Sequence, residues 1–278
     1  MGEWGPGPQP PAHADGHPYR LAGLPVKFEQ LVRNTPPMPD PDTYGRQPNR
    51  RGSCEQMDSR RTWVIGAAVA AVIIYAAMWV GYVQNWAWLG AVDAGLLRVF
   101  HDFGASHHGW VSFWVVFCIV FGPTAFRLVA LVVIAVALAR RNLQTALFLV
   151  ISVELMGLVT EGAKWLSNRP RPSTALVYGI ATSFPSGHAL GVMVAVLSLL
   201  TVLWPLVPQR LRMSVIVISA VLVFMVGVAR VILNVHNPSD VVAGWALGFL
   251  YYLLCVRLVP PRPFSSPAER RAELDSVP

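Results

Sequence analysis

Charged side chains are scarce in this sequence of 278 residues. Asp, Glu, Lys and Arg make up 13% of it, while hydrophobic residues make up 54%. An ordinary soluble domain carries about 25% charged residues. This scarcity of charge, with so much apolar sequence, excludes a chain that is disordered throughout and argues against a water-soluble enzyme. The composition therefore predicts an integral membrane protein.

Closely spaced cysteines and a secretion signal are also lacking. The three cysteines, Cys54, Cys118 and Cys255, are far apart and match no metal-ligand spacing. Nothing in their placement indicates a disulfide framework. The first sixty residues contain no apolar core, so we expect no cleavable signal peptide. The first hydrophobic run, from Thr62, is expected to serve as an uncleaved anchor.

A clustered basic face or tail, which a nucleic-acid-binding protein needs, is missing as well. The formal net charge is +7, but residues 62–258 hold 11 basic and 5 acidic side chains, and the two tails together are nearly neutral. We therefore expect no nucleic acid as a partner. The informative feature is the position of the basic residues within the apolar block.

The chain divides into this apolar block and two polar tails. Residues 1–61 contain eleven prolines and few apolar positions, a composition that predicts a disordered tail. Within that tail, Leu21–Val32 has loosely helical spacing and is a candidate surface helix. Residues 62–258 are expected to form an all-α membrane bundle, and residues 259–278 a second short tail.

Six runs in the block are candidate membrane-spanning helices, for which about 20 residues are needed. They are 63–83, the shorter 124–138, 143–165, 187–206, 213–233 and 238–256. Between the first and second spans, Val92–Phe103 and Trp110–Phe121 are amphipathic and are expected to lie at the membrane interface. The competing assignment is a single longer span through 110–138, interrupted at Gly122-Pro123.

Most basic residues indicate the orientation of this bundle through the positive-inside rule. They occur in pairs beside every second membrane crossing: Arg60 and Arg61, Arg140 and Arg141, Arg210 and Arg212, and Arg257 and Arg262. All four pairs lie on one side of a six-span chain. We therefore expect that side, and both termini, to be cytoplasmic.

Four basic residues at the outer end of a span, or in the outer loop after the third span, fall on the opposite, extracytoplasmic side, where the rule does not expect them. They are Lys164, Arg169, Arg171 and Arg230. One alone could be explained by snorkelling of its side chain to the headgroups. Four together predict a binding site for an anion, although Arg169 is only weakly diagnostic of a phosphate contact.

Three short segments near that face combine these cations with histidines and a carboxylate. They are Lys164-x6-Arg171-Pro172, Pro185-Ser186-Gly187-His188 and Arg230-x5-His236-x3-Asp240. In residue type, spacing and order they resemble the signature of the type 2 phosphatidic acid phosphatase family, the lipid phosphate phosphatases related to vanadium haloperoxidases. The resemblance covers about residues 120–256. Ala229 departs from it, because the family usually has Ser there, which removes one possible hydroxyl contact and no charge.

The residue types support a phosphate site independently of the resemblance. Phosphoryl transfer needs positive groups on the oxygens over which charge is spread in the transition state, and Lys164, Arg171 and Arg230 can supply them. Ser186 and Gly187 are predicted to begin a helix whose first N–H groups, together with the Ser186 hydroxyl, can bind the same anion. Because these fixed cations already neutralise a phosphate, we expect neither a metal nor another cofactor.

The resemblance implies roles for the two histidines. His236 is then the nucleophile that forms a phosphohistidine, and His188 is the general acid that protonates the leaving group and later activates water. Asn237 and Pro238 are predicted to begin a helix with Asp240 in its first turn. Asp240 is thus expected to accept the other ring N–H of His236.

These features predict a bacterial plasma-membrane enzyme that hydrolyses a lipid phosphomonoester or pyrophosphate at the extracytoplasmic face. By resemblance alone we favour polyprenyl pyrophosphate, the carrier lipid of cell-wall synthesis, with phosphatidic acid and phosphatidylglycerol phosphate as alternatives. A lipid-linked phosphotransferase with the same site and a non-catalytic phospholipid-binding or transport protein stay open. The sequence determines neither the oligomeric state nor the role of Glu154, which is a functional suspect because it lies within a predicted span.

Overall fold

The computed structural model describes residues 50–178, 182–262 and 264. The chain divides after Gln56, and apart from the start of the first helix the description below concerns the unit from Met57 onward. The candidate helix Leu21–Val32 and most of the two predicted tails lie outside the described residues.

All regular secondary structure in the described residues is helical, as predicted. The α-helices of this part are α1 Arg50–Val83, α2 Ala87–Ser106, α3 His108–Val120, α4 Pro123–Ala139, α5 Leu143–Leu149, α6 Met156–Ser167, α7 Gly187–Leu203, α8 Arg212–Ile232 and α9 Pro238–Leu258. A π-helical turn, Val150–Glu154, joins α5 to α6, and the short 3-10 helices Trp204–Leu206 and Gln209–Leu211 lie between α7 and α8. Helix α1 includes residues 50–61, assigned above to the disordered tail, because an anchored apolar helix can be extended without a new nucleus.

Six helical stretches of the described chain are long and apolar enough to cross a membrane. They are Arg61–Val83, His108–Ala139, Leu143–Ser167, Gly187–Leu206, Gln209–Ile232 and Pro238–Leu258. Five agree with the predicted spans to within a few residues. The second agrees with the competing assignment, because α3 and α4 together form one long apolar stretch that is interrupted around Gly122.

Helix α3 therefore belongs to a span, and α2 is the separate helix between the first two spans. The interfacial placement of Trp110–Phe121 required a polar face, which α3 does not have. Phe113, Val116 and Ile119 are exposed on its surface, as residues that face lipid tails would be. An interfacial helix would present charged or polar residues there.

Helix α7 is the centre of the bundle, since ten of its 17 residues are buried. It packs most extensively on α9, whose glycines allow the two backbones to touch. A Cβ on Gly244 would lie 2.6 Å from the carbonyl oxygen of Ser186, and one on Gly248 would lie 2.8 Å from that of Leu190. Such small residues four apart are typical of close helix pairs in membranes. The pair thus begins side by side, and the Ser186 N–H donates to the Asp240 carbonyl at 2.9 Å.

The π-helical turn is held by an arginine from α4 that the sequence analysis did not assign. Arg127 Nη2 donates to the Glu154 carbonyl at 2.6 Å, and its Nε lies 3.5 Å from the Val153 carbonyl. The Glu154 carboxylate lies 3.9 Å from the same Nε. Since charged groups inside a membrane need partners, this pairing gives Glu154 a cationic partner.

Candidate active site

The eight residues assigned to the site lie on neighbouring pieces of chain. Lys164 is on α6, Arg171 is in the loop after α6, Ser186, Gly187 and His188 are at the start of α7, Arg230 is at the end of α8, and His236 and Asp240 lie around the start of α9. The local structure of each piece explains the spacing of its motif.

The first piece is the loop that follows α6. Asn168 ends this helix in the left-handed conformation, with φ of 44°, which asparagine tolerates better than most residues. Pro170 and Pro172 then restrict the backbone on both sides of Arg171 and prevent the helix from continuing. The loop is fixed to the start of α7, because the Ser183 N–H donates to the Arg169 carbonyl at 2.8 Å.

The end of α8 accounts for the five residues between Arg230 and His236. Asn234 has φ of 55°, and the chain reverses there in a Schellman motif. The Val235 N–H donates to the Arg230 carbonyl at 3.2 Å, and the Asn234 N–H to the Val231 carbonyl at 2.9 Å. The His236 N–H also reaches the Arg230 carbonyl, at 3.3 Å. This turn therefore places His236 directly against the helix end that carries Arg230.

Helix α9 begins as predicted, with Asn237 as the N-cap and Pro238 in the first helical position. Asp240 is fully buried, and its Oδ2 accepts the Asn237 backbone N–H at 2.7 Å, as the acidic residue of a capping box does. Its Oδ1 accepts a 2.6 Å hydrogen bond from Arg169. Both oxygens of the carboxylate are thus engaged.

His236 is 1% exposed, and its Nδ1 lies 2.7 Å from the carbonyl oxygen of Ser183. A carbonyl can only accept, so Nδ1 carries the hydrogen and Nε2 keeps its lone pair in the neutral ring. Asp240, expected above to accept this N–H, lies at 3.8 Å, which is too long for a hydrogen bond. Its oxygens are already bonded to Arg169 and Asn237, so it acts on the ring through its charge.

The electrostatic surroundings keep His236 neutral at pH 7. Burial lowers the pKa of this histidine below the ordinary 6.5; the Asp240 carboxylate opposes that shift, and the charges of Arg230 and Arg171 add to it. Burial also lowers the pKa of Arg171, as does the nearby Arg230, but an arginine stays cationic in a protein.

A cavity of about 520 Å³ lies against His188 and Arg230. Its other walls are mainly apolar and come from α3, α4, the loop before α7 and the residue after α8: Val115, Cys118, Ile119, Pro123, Thr124, Ala125, Leu128, Val177, Tyr178 and Leu233. The charges of Arg230, Lys164 and Arg171 act on His188. Three cations therefore influence one histidine that lines a mainly apolar cavity.

Two buried donors of the assigned site have no hydrogen-bond partner among the described residues. They are the hydroxyl of Ser186, which is fully buried, and Nε of Arg230. A buried donor without a partner costs about 1–3 kcal/mol, so such groups in a folded protein call for an explanation. An anion seated at the start of α7 would meet the helix N-terminus and the Ser186 hydroxyl, and Arg230 lines the same cavity as His188 in the first turn of that helix. Gly187 lies close to α6 there, since a Cβ on it would be 3.1 Å from Thr160 Cγ2.

Two other predicted cations have protein partners. Lys164 Nζ donates to Glu161 Oε1 at 3.0 Å, with the glutamate largely exposed, which leaves the ammonium two further donors. Arg169 bonds to carboxylates and not to the cavity. Across the described residues, no group of three or more His, Cys, Asp or Glu side chains could hold a metal ion.

Asp93 on α2 and Ser183 before α7 were not predicted from the sequence. Asp93 is 3% exposed and accepts hydrogen bonds from Arg169 and Ser239. A signal was present, because Asp93 is the one charged residue in the apolar stretch 86–97, where it needs a buried partner. The Ser183 contribution is a backbone carbonyl, which carries no side-chain signal in the sequence.

The fold and the site define a polytopic membrane protein that holds a buried histidine and a cluster of cations at one end of its helices, an arrangement suited to a phosphoryl group. Residues 145–264, which include all eight assigned site residues, match the sequence model of the PAP2 superfamily. The matched segment carries the motifs that resemble the type 2 phosphatidic acid phosphatases.

Two relatives agree with this assignment. The chain is 36% identical over 95 residues to phosphatidylglycerophosphatase B of Bacillus subtilis (strain 168), a match that spans 33% of this chain and 46% of the relative. It thus spans less than half the length of that relative. The fold is similar to the crystal structure of the first transmembrane PAP2 type phosphatidylglycerolphosphate phosphatase from Bacillus subtilis, with a TM-score of 0.55, 24% identity, and coverage of 70% of this chain and 94% of that chain. This likeness confirms the all-α membrane fold.

Proposed function

We propose that the protein is a membrane lipid phosphatase that hydrolyses a lipid phosphomonoester or pyrophosphate through a phosphohistidine at His236. The observation that carries the proposal is the buried His236, whose Nδ1 is bonded to the Ser183 carbonyl and whose backbone N–H reaches the Arg230 carbonyl. Among the described residues, the Ser186 hydroxyl and Arg230 Nε have no hydrogen-bond partner. Arg230 and His188 line a cavity whose other walls are mainly apolar. This combination fits a phosphate attached to a lipid.

The reaction has two steps, each a displacement at phosphorus. In the first, Nε2 of His236 attacks the phosphorus, the bond from phosphorus to the leaving oxygen breaks, and His188 gives that oxygen a proton. In the second, His188 takes a proton from water as the water oxygen attacks phosphorus. The phosphorus–nitrogen bond then breaks, and inorganic phosphate leaves with His236 neutral again.

The surrounding charges stabilise both transition states. Lys164, Arg171 and Arg230 supply positive charge to the non-bridging oxygens, where phosphoryl transfer concentrates negative charge. As His236 bonds to phosphorus its ring becomes positive, and the Asp240 carboxylate at 3.8 Å favours that charge. In this proposal the three cations contact the phosphate, and the negative charge of Asp240 lies beside the ring of His236.

The apolar walls of the cavity favour a lipid as the leaving group. Ile119 and Leu128 come from the two helices of the second span and line the same cavity as His188. The hydrocarbon part of a lipid whose phosphate is bound there would therefore contact an apolar surface. We propose phosphatidylglycerol phosphate as the first substrate to test, because both relatives are named for it. The preference for polyprenyl pyrophosphate as the substrate stays a prediction, and phosphatidic acid stays an alternative substrate.

The test is a phosphate-release assay with the purified protein in detergent, over phosphatidylglycerol phosphate, phosphatidic acid and polyprenyl pyrophosphate. We expect release from at least one of them, lost in His236→Ala. His108→Ala, an exposed histidine at the start of α3, is the matched control and should keep full activity. Full activity of His236→Ala would overturn the phosphohistidine mechanism.

A second measurement separates this proposal from the two other functions. With a substrate labelled on phosphorus, His188→Ala should accumulate labelled protein, because the general base that takes a proton from water in the second step is gone. Labelled lipid or sugar in place of free phosphate, once hydroxyl acceptors are supplied, would assign a phosphotransferase. Binding of the lipid without any labelled protein or product would assign a non-catalytic protein.

A further inference from the structure

Arg169 stands between two carboxylates that come from different helices. Its Nη1 donates to Asp240 Oδ1 at 2.6 Å and to Ser239 Oγ at 2.7 Å, and its Nη2 donates to Asp93 Oδ2 at 2.9 Å. The guanidinium also lies over the ring of Tyr82, 4.7 Å from its centroid. The side chain is 12% exposed. Both terminal nitrogens of this cation are therefore bonded to side chains of the protein, and its charge is directed at Asp93 and Asp240.

The same residue is connected twice to the groups that face Nδ1 of His236. Its carbonyl accepts the Ser183 N–H at 2.8 Å, and the Ser183 carbonyl in turn accepts Nδ1–H of His236 at 2.7 Å. Its guanidinium holds Asp240, the carboxylate 3.8 Å from that nitrogen. A displacement of Arg169 would therefore move both the acceptor and the nearest charge of His236.

Asp93 holds this arginine from the side of α2. Its Oδ2 accepts the Ser239 hydroxyl at 2.6 Å in addition to Arg169, and its Oδ1 accepts the Ser239 backbone N–H at 3.0 Å. Asp93 thereby bonds the first turn of α9 as well as the loop after α6. A buried carboxylate without such partners would be costly.

We infer that Arg169 and Asp93 are a positioning pair for His236: Arg169 fixes the two groups that face its Nδ1, and Asp93 holds Arg169 in place. The inference rests on the proposed function of His236 as nucleophile. Neither residue touches the phosphate, so the pair acts on the rate of the chemical step and not on the binding of the substrate.

The charge of the network gives the inference a signature that a purely structural role lacks. With one arginine and two carboxylates it carries a net charge of −1 beside His236, which favours a positive ring. The other charged groups that face this histidine are Arg230 on α8 and Arg171 in the loop, with His188 on α7. Neutralising Asp93 removes negative charge and disfavours protonated His236, whereas neutralising Arg169 does the opposite.

The experiment compares Asp93→Asn, Arg169→Gln and Arg169→Lys in the full chain, with the exposed Asp102→Asn on the same helix as the matched control. We expect kcat to fall about 100-fold in the first two, the scale of a misplaced catalytic group, with KM little changed. The acidic limb of kcat/KM should move to lower pH in Asp93→Asn and to higher pH in Arg169→Gln. Arg169→Lys keeps the positive charge but loses the two-pronged guanidinium that bonds both carboxylates. Its kcat should therefore fall, while the acidic limb of kcat/KM stays at the wild-type pH.

The inference would be overturned if the acidic limbs of Asp93→Asn and Arg169→Gln moved in the same direction or did not move. A wild-type kcat in Asp93→Asn would also overturn it. If Arg169→Gln does not fold, Asp93→Asn and Arg169→Lys decide alone, since one should move the limb and the other should not. The outcome is distinguishable from failure of the proposed function. If the proposed function fails, His236→Ala keeps its activity. If only the positioning inference fails, His236→Ala is inactive and Asp93→Asn behaves like the control Asp102→Asn.

Discussion

His236 obtains its reactive form from a backbone carbonyl. The bond from Nδ1 to the Ser183 carbonyl selects the tautomer with a lone pair on Nε2, and burial among arginines keeps that lone pair free of a proton. In many catalytic triads a carboxylate orients the histidine. Here the carboxylate of Asp240 is bonded elsewhere and contributes mainly its charge.

The lowered pKa of His236 predicts the pH dependence of the reaction. The nucleophile must be neutral, and a pKa below 6.5 keeps it neutral as the pH falls from 7 through 6.5. The acidic limb of kcat/KM should therefore lie below pH 6.5. The measurement is kcat/KM from about pH 5 to about pH 8, with the second ionisation of the substrate, near pH 6 for a phosphomonoester, determined separately by ³¹P NMR and divided out. A corrected limb at or above pH 6.5 would contradict the prediction.

The Ser186 hydroxyl gives a second prediction at this scale, because it is buried without a partner among the described residues. Ser186→Ala deletes no hydrogen bond of the free protein, so thermal stability should be unchanged or raised. A phosphate analogue should lose one donor, so inhibition by orthovanadate should weaken about 10-fold or more. The matched control is Ser198→Ala, whose hydroxyl is equally buried and unpartnered further along α7. Equal vanadate inhibition in the two variants would contradict a phosphate contact at Ser186.

The residues that sequence reasoning could find are those with conspicuous side chains. Lys164, Arg171 and Arg230 are charges on the side that the positive-inside rule predicts to be extracytoplasmic, and two histidines lie beside them in the motifs. Asp93 and Ser183 were not found from the sequence. Asp93 is bonded to Ser239, 146 residues away in the sequence, and Ser183 contributes only its backbone carbonyl. Long-range pairing of this kind depends on how helices pack, which a single sequence does not specify.

At the scale of elements, the contact of α7 with α9 aligns the two helix starts that form the site. Gly244 and Gly248 permit this contact, and it brings the N-cap Ser186 within 2.9 Å of the Asp240 carbonyl. The Schellman turn after α8 then adds Arg230 and His236 to the same place. Local turn and cap signals were readable from the sequence, and the glycine-mediated contact was not.

Gly244→Ala should therefore separate the two helices. The added Cβ would meet the Ser186 carbonyl at 2.6 Å, which requires a backbone shift, and we expect a loss of about 1–3 kcal/mol of stability together with a fall in activity. Thermal unfolding in detergent and the phosphate-release assay measure the two effects. Gly66→Ala on α1 is the control, since a Cβ there meets nothing within 4 Å. Wild-type stability and activity in Gly244→Ala would contradict this account of the site.

At the scale of the whole molecule, composition predicted the bundle because about 20 apolar residues suffice to identify a span. The number of spans and their approximate ends follow from that rule alone. The second span was harder, since Gly122 and Pro123 interrupt an apolar stretch that continues across them. A break of this kind looks like a boundary in the sequence, although α3 and α4 are both apolar and together form one candidate span.

The orientation of the bundle in the membrane is the remaining prediction. Four pairs of arginines lie beside alternate crossings, and the positive-inside rule puts them in the cytoplasm, so the candidate site and the loop after α2 face outward. Single cysteines at Ser106 and at Gln209, both exposed, test this in a chain with Cys54→Ser. The buried Cys118 and Cys255 should not react. A maleimide that cannot cross membranes should label Ser106→Cys on intact cells and Gln209→Cys only after permeabilisation. The reverse pattern would put phosphate release in the cytoplasm and contradict the orientation, while leaving the chemistry at His236 unaffected.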